Sequence, residues 1–124
     1  MKKILIVEDE RILALSLKMD LNEVGQYEIS IVTNGDDALV AIQDLKADLV
    51  LMDISIQGEK SGIETAQLIS VVSEVPIIYL TGETDSDTIT RAKAVPNCKG
   101  YLTKPVKMDL LEPLLTQMLT LSLA

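Results

Sequence analysis

At 124 residues, with a formal charge of 11 minus 19, or −8, the chain is sized for one domain over 1–124 and repels nucleic-acid phosphates and anionic membranes alike. Its apolar stretches are strand-sized, short of the roughly 18 residues of a membrane span, and the run after Lys2 and Lys3 ends in acids with no cleavage site, so neither span nor secretion signal is expected. It has no histidine, which excludes His-based triads, His-ligated metals and phosphorylation on its own histidine, and the single Cys98 fits a reducing, cytoplasmic setting.

The chain opens on KILIV at 3–7, an aliphatic strand, followed by helical periodicity over 10–24. YEISIVT at 27–33 reads as a second strand and 35–46 as a second helix, with Asn34 placed to cap it. DLVLM at 48–52 is the third strand. Its helix, 62–73, is announced by Ser61 and Glu64 in the S-x-x-E capping pattern. PIIYL at 76–80 leads to a helix at 85–95, and KGYLT at 99–103 leads to the last helix at 108–121. In that helix Leu110, Leu111, Leu114, Leu115, Met118 and Leu119 form an i, i+3, i+4 stripe, most simply core, while Leu121 and Leu123 extend an apolar end beyond it. Pro113 removes one helical hydrogen bond and is expected to delay the helix or kink its first turns.

Strict alternation of strand and helix, with nearly all-apolar first, third and fourth strands, predicts an α/β fold: a (βα)₅ doubly wound parallel sheet, flavodoxin-like, in the order 2-1-3-4-5. Ligands of such sheets bind beyond the carboxyl ends of the strands where the winding reverses, here between strands 1 and 3. The residues at those ends are Glu8 and Asp9, Asp53, Thr81 and Lys104. Three carboxylates gathered there repel by about 4 kcal/mol per pair at ~4 Å and an effective dielectric of ~20. Lys104 offsets part of that, and a hard divalent cation with oxygen ligands, Mg²⁺, suits the remainder. A site with Mg²⁺ and Lys is also suited to a phosphoryl group, whose oxygens both can share.

ILIVEDE at 4–10, LVLMDISI at 49–56, IIYLTGE at 77–83 and GYLTKP at 100–105, in this order and at strand ends, resemble the response-regulator receiver domain, the phosphoacceptor module of two-component signalling. The resemblance covers residues 3 to about 119. It implies that Asp53 is the phosphoacceptor and shares Mg²⁺ with Asp9, with Glu8 through water and with the backbone carbonyl of Ser55. It implies that Thr81 and Lys104 bind phosphoryl oxygens, that Thr81 and Tyr101 are the switch pair, and that Pro105 follows a cis peptide bond. The implied donor is a phosphohistidine on a sensor histidine kinase or phosphotransfer protein. The implied chemistry is self-catalysed phosphotransfer and autodephosphorylation, tuned by Ser55 and Glu83, rather than turnover of a metabolite. The signal is expected to leave through a downstream protein, a missing attached domain or a homodimer.

Two segments depart from the commonest family pattern: the loop after Asp53 carries Gln57 where proline is frequent and runs one residue longer, and AVPNCKG at 94–100 predicts an irregular end to the fourth helix around Pro96. Simpler readings stand beside the functional ones. Glu8 and Asp9 also suit a helix N-terminus, Asp53 and Thr81 suit turns, and Tyr101 suits packing as well as switching. A flavin binder on the same architecture would need a phosphate loop after strand 1 and aromatic partners, where this chain has acids and no Trp or Phe. An aspartate-nucleophile phosphohydrolase would need a second acid two residues on, where this chain has Ser55. A degenerate receiver acting only as a binding module would lack site residues that this chain has.

Overall fold

In a computed structural model of the chain, residues 1–56, 58–82 and 85–121 are described, except for the side chains of residues 120 and 121. Elements alternate throughout: β1 (Lys2–Val7), α1 (Arg11–Val24), β2 (Tyr27–Val32), α2 (Gly35–Leu45), β3 (Leu49–Asp53), α3 (Gly62–Val72), β4 (Ile77–Thr81), α4 (Ser86–Lys93), β5 (Cys98–Thr103) and α5 (Met108–Leu121). The strands form one parallel sheet in the order β2-β1-β3-β4-β5, as the alternation predicts.

The period of two along each strand divides the core into two layers. Ile4, Ile6, Leu49, Leu51, Ile78 and Leu80 face α1 and α5, where Ala14, Leu17, Leu21, Leu111, Leu115 and Leu119 close over them. Leu5, Val7, Val50, Met52, Ile77 and Tyr79 face α2, α3 and α4. The stretches 4–7, 49–52 and 77–80 of β1, β3 and β4 are thus buried on both faces and hydrophobic throughout, and each large side chain so buried contributes about 1.5–3 kcal/mol. Of the expected stripe on α5, Leu110 turns outward and is 54% exposed, while Leu111, Leu115 and Leu119 reach the core.

The helix signals hold locally. Asn34 Oδ1 accepts from the Asp37 backbone N–H at 2.8 Å, and Ser61 and Glu64 form a complete capping box. α4 ends at Lys93, before Pro96, and the tight turns of Val95 onto Ala92 and Cys98 onto Val95 bring β5 in beside a register shift at Ile77/Ile78. α5 starts at Met108 with Pro113 inside it, not late: Leu110 and Leu111 donate to the Lys107 carbonyl, so the first turn is built before the proline's missing donor is felt. β3 and β4 each run one residue further than expected. Ile54 N–H donates to the Leu80 carbonyl and Lys104 N–H to the Thr81 carbonyl, so Asp53 and Thr81 close their strands instead of following them. Among the described residues no helix is long and apolar enough to cross a membrane.

Candidate functional site

The chain leaves β1 for β2 on one side and then returns past β1 to β3 on the other, leaving a crevice at the carboxyl rim between β1 and β3. Glu8, Asp9 and Asp53 meet there, with a carboxylate oxygen from each within 4.8 Å of the others. Glu8 is 3% and Asp53 2% exposed, so both carboxylates are withdrawn from bulk water. Lys104, delivered by the end of β5, places Nζ 2.7 Å from Glu8 Oε1 and 3.1 Å from Asp53 Oδ2. The Ser55 backbone N–H donates to Asp53 Oδ1 at 2.9 Å and fixes the carboxylate's rotation. The Lys104–Pro105 peptide bond is cis, as the GYLTKP motif implies.

The electrostatics follow from burial. Desolvation, then the shared hydrogen bond and charge of Asp53, push Glu8 from its ordinary 4.5 up to about 7 against the opposing pull of Lys104. Burial disfavours the Lys104 ammonium, but its bonds to Glu8 and Asp53 outweigh burial and hold its pKa above the ordinary value. One ammonium therefore does not fully compensate the buried acids. An all-oxygen donor set short of positive charge fits a hard divalent cation such as Mg²⁺.

The N-cap of α1 is Glu10, whose side chain makes no capping bond, and Glu8 Oε2 accepts from the Glu10 backbone N–H at 3.4 Å, so Glu8 serves the start of α1 as well as the acid cluster. Thr81 is fully buried at the end of β4. Tyr101 is 37% exposed on β5, and the Lys93 ammonium stands 4.9 Å from its ring centroid, so the ring is an outer-face group and not core. Gln57 and Glu83 lie outside the described residues, as do Leu123 and the side chain of Leu121. The direct Lys104–Glu8 bond was not anticipated from sequence, because 96 positions separate the partners and no local pattern announces it.

The model of the response regulator receiver domain matches residues 4–116. The chain belongs to the response-regulator receiver family. Among curated relatives, the DNA-binding response regulator MtrA of Mycobacterium tuberculosis is 33% identical over 107 residues, covering 86% of this chain and 45% of that protein. The chain spans about half the length of the curated relatives it matches. Among solved structures, the signal receiver domain of a modulated diguanylate cyclase from Desulfovibrio desulfuricans is 37% identical with a TM-score of 0.87, over 95% of this chain and 93% of that one. The response regulator TrrA of Thermotoga maritima, solved in complex with Mg²⁺ and BeF, is 32% identical with a TM-score of 0.83, over 95% and 99% of the two chains. Receiver domains of this family typically bind Mg²⁺, and the acidic cluster of this chain is of the kind that does so.

Proposed function

We propose that this receiver takes a phosphoryl group onto Asp53 from a partner's phosphohistidine, with Mg²⁺ held by Asp9, Asp53, the Ser55 carbonyl and, through water, Glu8. The observation that carries the reading is a carboxylate 2% exposed at the end of β3, oriented by the Ser55 N–H and paired at 3.1 Å with the Lys104 ammonium. In the transfer an Asp53 oxygen forms a bond to phosphorus as the donor's N–P bond breaks, and the leaving imidazole keeps the bonding pair. Lys104 neutralises charge on the moving phosphoryl oxygens, and Thr81 receives one of them afterwards. Mg²⁺ would supply further neutralisation of the same oxygens. Burial of Glu8 and Asp53 keeps water from competing as the acceptor.

The donor has to come from outside, since the chain has no histidine. A groove of about 140 Å³ reaches Glu8 and Lys104, lined by Leu13, Leu17, Leu80, Pro105 and Val106 with Ser16 and Asp20 among them, and the outward face of α1 carries Ile12, Leu15 and Met19, at 83%, 53% and 66% exposure. An apolar strip next to the acceptor supports a docking protein, the sensor histidine kinase or phosphotransfer protein, in preference to a free metabolite. Output would pass through the α4–β5–α5 face as Thr81 closes on the phosphoryl group and Tyr101 leaves its place beneath Lys93, towards a downstream protein, an attached domain or a second copy. Incubation with a small phosphodonor and Mg²⁺, followed by intact mass, tests the reading. The wild type gains one phosphoryl group and Asp53→Asn gains none, whereas full phosphorylation of the Asn variant would overturn it.

A further inference from the structure

The first residue of α3 lies closer to the chain around Asp53 than any side chain would permit. A Cβ built on Gly62 overlaps the Asp53 carbonyl oxygen, comes within 2.7 Å of Ile54 Cα and lies 3.0 Å from the Asp53 carbonyl carbon. All three are backbone atoms, so no rotamer change relieves the overlap. The Gly62 N–H also donates to the Ile54 carbonyl at 3.1 Å, which draws the start of α3 onto the end of β3. Gly62 takes no left-handed conformation, and alanine is the better helix former at an ordinary helical position. Helix propensity therefore favours alanine here, and only the close approach demands glycine.

We propose that Gly62 is a positioning residue for Asp53: the absence of its side chain lets α3 seat against the backbone that carries the acceptor carboxylate. This rests on the reading of Asp53 as phosphoacceptor. Relieving the overlap requires a shift on the order of 1 Å in a close-packed region. That shift falls between two anchors of the acceptor, the Ser55 N–H bond to Asp53 Oδ1 at 2.9 Å and the Ile54 N–H bond to the Leu80 carbonyl at 3.1 Å. Misplacement of a reacting group on that scale costs on the order of 100-fold in rate. Gly35 provides the comparison. A Cβ there overlaps the Thr65 hydroxyl and lies 3.1 Å from Lys60 Cβ, which disturbs the α2–α3 contact without touching Asp53.

The test compares Gly62→Ala with Gly35→Ala, each kept fully folded with sucrose as judged by circular dichroism. Phosphorylation by phosphoramidate is measured at saturating Mg²⁺, and amide hydrogen exchange is measured without donor. Gly62→Ala is expected to phosphorylate on the order of 100-fold more slowly and to lose protection at the Ile54 and Ser55 amides, while Gly35→Ala stays within about threefold of wild type and keeps both amides protected. Equal rates in wild type and Gly62→Ala, an equal deficit in both variants, or a Gly62→Ala chain that does not fold in sucrose when Gly35→Ala does would each overturn the proposal. A wild type that takes no phosphoryl group refutes the Asp53 reading itself, and the exchange pattern then decides alone whether Gly62 positions this backbone.

Discussion

Helices α3 and α4 follow neighbouring strands and cover the same face of the sheet, yet they are held in different ways. α3 begins with a capping box, presses Gly62 onto the backbone of Asp53 and buries Ile63, Thr65, Ala66 and Ile69. α4 has eight residues, a cap from Asp85 and one buried residue, Ala92. In the same apolar cluster as Ala92, the Tyr79 hydroxyl is buried with no hydrogen-bond partner among the described residues. The helix after Asp53 is thus firmly held, and the helix after Thr81 rests on an imperfect seat. The switch proposed above would use this asymmetry, because chemistry requires a rigid carboxylate and output requires an element that moves at low cost.

A large effect is expected at Lys104, the cation that pairs with both Glu8 and Asp53. Lys104→Ala leaves Glu8 and Asp53 buried without their partner, and breaking such a pair costs on the order of 3 kcal/mol. Urea unfolding at pH 8 with EDTA should show that loss, and added Mg²⁺ should restore part of it. No loss would mean that the pair contributes nothing. Next, Ile69→Ala in α3 should destabilise by about 2–5 kcal/mol, because its side chain is fully buried. Ile89→Ala in α4, at a half-buried position, should cost under about 1.5 kcal/mol. Equal losses by thermal unfolding would remove the contrast between the helices.

Sequence made the deeply buried half easier to read than the lightly buried one. The apolar runs of β1, β3 and β4 predict burial on both faces because parallel strands admit little else, and Asp53, Glu8 and Asp9 stand out as acids at the ends of such runs. Asn34 and the Ser61–Glu64 box were legible because caps are local chemistry. Gly62 was not, since its demand comes from a contact nine positions back, across a loop whose path no local rule fixes. The outward place of Tyr101 depends on Lys93 of α4, and aromatic character alone fits core and rim equally.

The acid pocket also predicts a pH dependence. Glu8 has a folded-state pKa of about 7 against an ordinary 4.5, so between these values the folded chain binds more protons than the unfolded chain. Stability without metal must then fall as pH rises through that window, by about 2 kcal/mol. Glu8→Gln should flatten the slope, as should saturating Mg²⁺. A metal-free wild type whose stability rises from pH 5 to pH 7 would contradict the assignment. The smallest effect concerns α4: Tyr79→Phe removes the buried hydroxyl and should raise stability by about 1 kcal/mol while leaving Mg²⁺ affinity unchanged. A loss of stability would show that the hydroxyl is satisfied in solution.

The most direct test of the acceptor is chemical trapping. An aspartyl phosphate is an acyl phosphate, which borohydride reduces to homoserine, whereas a phosphoserine or phosphothreonine survives unchanged. The chain is phosphorylated with a small donor and Mg²⁺, reduced, digested and sequenced by mass spectrometry. Homoserine at position 53 and nowhere else is the expected result. Homoserine at position 9, or an unreduced phosphoryl group on Ser55 or Thr81, would contradict the role assigned to Asp53.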